Sequence, residues 1–262
     1  MNAIYDKIGE NYDATRQADG EILQEFRSLL GLVANGIYLD VACGTGNYTS
    51  AMARFGGKWC GFDQSEKMLA EARTKSGLVN WACFDVENTD YKNGSFDGAI
   101  CSLAIHHFPD LNRAFGEISR VLKNTAPLVI FTSTRAQMER YWLNEYFPCM
   151  MKASCKQMPA LEAIETAVEA SGLTIGYSKP FFVTPALKDL FLYSGKQRPE
   201  MYLSQKVRNN ISSFRSFCPE EELNSGLKQL AEDIESGEIN NVVKKYSSNL
   251  GDYLFVVACK IE

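Results

Sequence analysis

The period of the apolar positions changes along this chain. Up to residue 35 they recur at helical spacing, with Leu23, Phe26, Leu29, Leu30 and Val33 on one stripe. From 37 to 134, short apolar runs alternate with helical stripes. The runs at 37–41, 57–62, 78–84, 96–103 and 127–133 predict strands, and the patterns at 47–55, 65–75 and 110–123 predict helices. The last helix carries Leu111, Ala114, Phe115, Ile118, Val121 and Leu122 on one face, behind Asp110 as N-cap. Strictly alternating strands and helices argue for a parallel sheet with right-handed crossovers. Such sheets bind ligands beyond the carboxyl ends of their strands.

After 134 the rhythm breaks. Residues 136–158 are dense in Tyr141, Trp142, Tyr146, Phe147, Met150 and Met151. A helix is predicted over 159–171, a strand over 173–183 and a final strand over 253–259. The stretch 184–250 is too long for a plain loop and should contain helices. Thr184-Pro185 reads as an N-cap with proline in the first turn, and Pro219-Glu220-Glu221-Glu222 as a second helix start. One domain spanning 1–262 is expected. Its core lies at about 1–134, 159–183 and 251–262, and a helical lid at about 135–158 and 184–250 covers the binding edge.

Bulk properties narrow this picture only by exclusion. A net charge of −5 gives no reason to expect a nucleic-acid partner. No apolar run is long enough to span a bilayer, and the first residues lack the pattern of a signal peptide. The eight cysteines form no C-x-x-C pair, and there are two histidines, so no metal site is expected. Reduced cysteines and a cytoplasmic location are the corresponding expectations.

The chemistry gathers at Leu39-Asp40-Val41-Ala42-Cys43-Gly44-Thr45-Gly46, a strand, an acid, a glycine turn and a helix start. Glycine lets a ligand approach the backbone, and the free amides of a helix N-terminus face outward. Asp40 would repel a pyrophosphate, and Thr49 stands where a dinucleotide fingerprint wants its third glycine. Both count against a nicotinamide oxidoreductase. The pattern instead resembles the first motif of class I S-adenosylmethionine-dependent methyltransferases, whose cofactor brings an ammonium and a sulfonium to such an acid. Gly61-Phe62-Asp63-Gln64-Ser65, Cys83-Phe84-Asp85-Val86 and the run from Ser102 through His106-His107-Phe108-Pro109 resemble the family's later motifs. So does the opening Tyr5-Asp6 and Tyr12-Asp13-x-x-Arg16, in the manner of the type 11, ubiquinone/menaquinone-biosynthesis-like small-molecule enzymes. Asn124-Thr125-Ala126-Pro127 departs from the family's Pro-Gly-Gly turn.

The resemblance implies a Rossmann-like α/β fold: a seven-stranded, mostly parallel sheet with an antiparallel last strand and helical lid insertions. It implies S-adenosyl-L-methionine as cofactor. Asp40, Ala42, Gly44, Gly46 and Ser102 would lie beside its methionyl part, Asp63, Gln64 and Met68 beside its adenosine, and Asp85 and Val86 at its adenine. Tyr12 would close over it and Arg16 pair its carboxylate. His106 and His107 are the candidate catalytic bases. The acceptor is expected to be a small molecule. Lys196, Arg198, Lys206, Arg208 and Arg215 suggest an anionic one. An RNA or protein acceptor, and a non-catalytic cofactor-binding protein, are the competing readings.

Overall fold

The computed structural model describes residues 13 and 15–260. The expectation for Tyr12, and for the Tyr5-Asp6 part of the opening motif, lies outside the described residues. Among the described residues the chain runs through α1 (Gly20–Leu30), β1 (Ile37–Val41), α2 (Asn47–Ala53), β2 (Lys58–Asp63), α3 (Glu66–Lys75) and β3 (Val79–Cys83). It continues with β4 (Gly98–Ser102), α4 (Leu111–Val121) and β5 (Pro127–Thr132). Short helices α5 (Arg135–Met138), α6 (Leu143–Tyr146) and α7 (Pro148–Gln157) precede α8 (Leu161–Ala170) and β6 (Leu173–Phe181). Helices α9 (Gln205–Arg208), α10 (Ser212–Phe217), α11 (Glu220–Ser236) and α12 (Ile239–Lys245) lead to β7 (Tyr253–Lys260).

The seven strands form one sheet in the order β3-β2-β1-β4-β5-β7-β6. The first five are parallel, while β7 runs antiparallel between β5 and β6. Helical layers cover both faces, so central strands are buried on both sides and read as continuous apolar runs. Successive side chains nevertheless belong to different cores. On β5, Val129 and Phe131 join one hydrophobic cluster while Leu128 and Ile130 join the other. On β7, Phe255 and Val257 face the first cluster and Leu254 and Val256 the second.

Two sequence expectations need correction here. The helical stripe ends at Leu30, because Gly31 takes a left-handed φ of 58° and caps α1; Val33 is left on the surface. Thr184-Pro185 starts no helix. The amides of Lys188 and Leu190 donate instead to Asp19 Oδ2 and the Thr15 carbonyl, at 3.0 Å each. Those tertiary bonds take backbone donors that a helix would need. Pro219 does precede a helix, α11, and occupies its N-cap. In the turn that departs from Pro-Gly-Gly, Thr125 adopts φ 62°, a conformation glycine holds more easily. Among the described residues no helix is long and apolar enough to cross a membrane.

Candidate functional site

The carboxyl ends of β1 to β4 open on one cavity of about 200 Å³. β1 delivers Asp40, then the chain turns through Ala42 (φ 54°) and Gly44 (φ 56°) into α2. Positive φ in a non-glycine residue costs roughly 1–3 kcal/mol, and Ala42 carries that strain on the cavity wall. A Cβ at Gly44 would meet nothing, so the space above it is open to a ligand. Gly46 differs. It does not line the cavity, and a Cβ there would lie 2.3 Å from the Trp81 ring. Its smallness serves the packing of α2 on β3.

Asp40 is buried, and the Thr49 hydroxyl donates to its Oδ2 at 2.5 Å. Thr49, which the sequence marked only as a missing glycine, is therefore the partner of this acid. Burial pushes the Asp40 carboxyl up to about 7, Thr49 opposes that, and the charge of Asp63 adds to it. Asp63, at the end of β2, accepts the amides of Gly44 and Ser65 at 2.9 Å each, and so pins the glycine turn. Ser65, not Asp63, caps α3. Asp85, just past β3, is exposed and accepts the Glu87 amide at 2.9 Å. Gln64, Met68, Val86 and Ser102 complete this side of the wall. The acids stand at the ends of three adjacent strands about 4.8 Å apart, which suits one elongated ligand.

The start of the described chain lies over the glycine turn. Asp13 accepts from the Thr45 hydroxyl and the Asn47 amide, at 2.8 and 3.0 Å, and pairs with Lys75 at 2.6 Å. Arg16 lines the cavity, but its guanidinium pairs with buried Asp189, Nε to Oδ1 at 2.5 Å. The Tyr48 hydroxyl donates to the other oxygen of Asp189 at 3.1 Å. Nothing in the sequence pointed to Asp189, which stands in a stretch read as helix.

His106 and His107 follow β4 with rings 4.0 Å apart. Burial, aided by His107, holds His106 well below the usual imidazole range, and burial lowers His107 to about 4. Both are neutral near pH 7. The far wall comes from the segments after β5. Met138, Met158, Phe191, Leu192, Ile211 and Tyr253 make it apolar. The aromatic and Met cluster of the segment expected to be a lid lies away from that wall: Tyr141, Trp142, Tyr146, Phe147, Met150 and Met151 are all in the core, and none lines the cavity.

Comparison with known proteins matches this architecture. A family model described as "Methyltransferase domain" matches residues 39–130. The chain is 30% identical over 183 residues to a malonyl-[acyl-carrier protein] O-methyltransferase of Erwinia pyrifoliae, covering 68% of each. The chain belongs to the class I S-adenosylmethionine-dependent methyltransferases. This methyltransferase is also 31% identical over 137 residues to a demethylmenaquinone methyltransferase of Symbiobacterium thermophilum, covering 47% of this chain and 55% of that one, about half its length. A crystal structure from Anabaena variabilis, titled as a methyltransferase from an antibiotic biosynthesis pathway, superposes with a TM-score of 0.83 at 29% identity. That match covers 93% of this chain and 98% of the other. S-adenosylmethionine is the cofactor, and the open space at Gly44 beside the row of acids fits a ligand with a cationic end and a ribose.

Proposed function

We propose that this protein methylates a small-molecule acceptor held between the strand ends and the helical segments after β5. The observation that carries this reading is the cavity at the strand ends, with a row of acids along one wall and an apolar wall opposite. When bound, the cofactor supplies a methyl group activated by a positively charged sulfur. This chain's residues have three tasks beside it. Asp40 and its Thr49 partner would receive the cationic end. Asp63 holds the glycine turn and would accept ribose hydroxyls. Asp85 and Val86 would take the adenine. The apolar wall excludes water and aligns the acceptor, which is most of what an in-line displacement needs. The neutral imidazoles of His106 and His107 would take an acceptor's proton.

The cations that suggested an anionic acceptor stand elsewhere. Lys196 pairs with Asp252 at 2.8 Å, Arg198 donates to the Leu187 carbonyl and Arg208 to the Tyr202 carbonyl. None of the five lines the cavity. A concave space of about 200 Å³ in a chain of net charge −5 also disfavours an RNA or protein acceptor.

Calorimetric titration with S-adenosylmethionine, S-adenosylhomocysteine and NADH, followed by an acceptor screen with methyl-labelled cofactor, tests this reading. Binding of the first two and label transfer to a small molecule are expected. Cofactor binding with no transfer to any acceptor would favour the non-catalytic reading.

A further inference from the structure

Two buried polar atoms on residues that line the cavity have no hydrogen-bond partner among the described residues, Nδ1 of His106 and Oγ of Ser154. The other such atoms, on Ser50, Tyr91 and Arg198, belong to residues away from the cavity. An unpaired buried polar group costs about 1–3 kcal/mol, so two beside one cavity mark a place where a ligand completes the bonding. They arrive from different elements, His106 after β4 and Ser154 on α7. Gln157, one turn along α7 from Ser154, holds its side-chain nitrogen 3.5 Å from Nδ1 of His107. Residues three apart share a helix face, so the face bearing Ser154 turns toward the histidine pair.

Charge says what kind of group fits there. The described lining contains four carboxylates, Asp40, Asp63, Asp85 and Asp189, and one cation, Arg16, which Asp189 already pairs. A second anion would enter against that excess. A cationic acceptor would need a carboxylate at the histidines, and the acids lie on the cofactor's side or with Arg16. What remains is a neutral group able both to donate and to accept.

We propose that Ser154 and His106 form a two-point subsite for a neutral hydroxyl of the methyl acceptor. The Ser154 hydroxyl donates to the acceptor oxygen, and the acceptor O–H donates to His106 Nδ1. On methylation an oxygen lone pair forms the bond to the methyl carbon, and the carbon–sulfur pair stays on sulfur. The O–H pair stays on oxygen while the proton passes to Nδ1. The neutral state imposed on His106 by burial leaves that nitrogen able to accept it. This inference rests on the methyl-transfer reading and gives Ser154 a positioning role within it.

The test uses phenol, toluene and benzoate as probes, titrated into the protein with S-adenosylhomocysteine present. Phenol should bind more tightly than toluene or benzoate. Ser154→Ala should weaken phenol about fivefold and leave toluene unchanged, and Ser154→Cys should fall between. With two histidines in the chain, nitrogen NMR resolves each ring, and phenol should shift the His106 Nδ1 resonance. An unchanged phenol-to-toluene ratio in Ser154→Ala, tightest binding by benzoate, or a silent His106 would overturn the subsite. Failure of S-adenosylhomocysteine to bind would count against the cofactor reading alone. The three probes would then be read in the same way on the protein without it.

Discussion

At Asp40, burial and function pull in opposite directions. Removal from water favours the neutral acid, while a cationic ligand needs the carboxylate. With its carboxyl raised to about 7, the group is half protonated at neutral pH. Binding a cation must therefore expel a proton at lower pH. We expect S-adenosylmethionine affinity to fall as pH drops below 7, approaching tenfold per unit, and Asp40→Asn to abolish that dependence. Calorimetry in buffers of different ionisation enthalpy reads the released proton directly; pH-independent binding by the unsubstituted protein would remove Asp40 from the cation site. At this scale the sequence was informative about residue type and silent about partners. Asp40 and Gly44 were legible because strand, acid and turn are contiguous. Thr49 is nine residues away across a helix turn, and Asp189 contacts Arg16 across 173 positions of the chain.

At the scale of elements, α7 depends on α11. Glu222 caps the start of α7, accepting the amides of Cys149 and Met150 at 2.6 and 2.9 Å. Four residues on, Gly226 packs so closely that a Cβ would stand 2.3 Å from the Tyr146 carbonyl and 2.6 Å from the Phe147 ring. In a mid-helix position alanine ordinarily stabilises relative to glycine by up to ~1 kcal/mol. Here the backbone cannot yield cheaply. Gly226→Ala should therefore destabilise the fold by about 1–3 kcal/mol in urea titration, despite its better helix propensity. A gain in stability would show that α11 can shift freely. Because α7 carries Ser154 and Gln157, the same change should reach the cavity. The helices of 135–158 were legible as helices. Their burial was not, since an aromatic and Met stripe looks alike whether it faces a core or a ligand.

Across the whole molecule, buried titratable groups set opposing slopes of stability with pH. The two histidines are held below 6.5 in the folded state, His107 at about 4. Between about 6.5 and 4 the unfolded chain binds more protons, so their contribution is full above 6.5 and is lost as pH falls. Asp40 acts in reverse. Its folded value, about 7, lies above the ordinary 3.8, so its contribution is present below 3.8 and is lost as pH rises through 7. Urea midpoints from pH 4 to 7 should rise more steeply with pH in Asp40→Asn than in the unsubstituted protein. They should rise less steeply when His106 and His107 are both replaced by asparagine. Parallel curves for all three would mean that these groups are solvated in solution.

Some of this protein is settled by short-range order in the chain. Alternating short apolar runs and helical stripes dictate a parallel α/β sheet, and contiguous motifs at the strand ends carry the resemblance that implies the cofactor. Both rest on interactions between residues near in sequence, whose geometry local backbone rules constrain. The far end of the sheet order, with β7 inserted between β5 and the edge strand β6 after the long excursion over 182–252, matches a rule of the family rather than anything periodic in the residues. The cavity's far wall, the Arg16–Asp189 pair and the two unpaired atoms of His106 and Ser154 were decided by tertiary packing alone. They join side chains from before α1, after β4, on α7 and in the 184–204 segment, and burial and pairing across such distances depend on where whole elements come to rest.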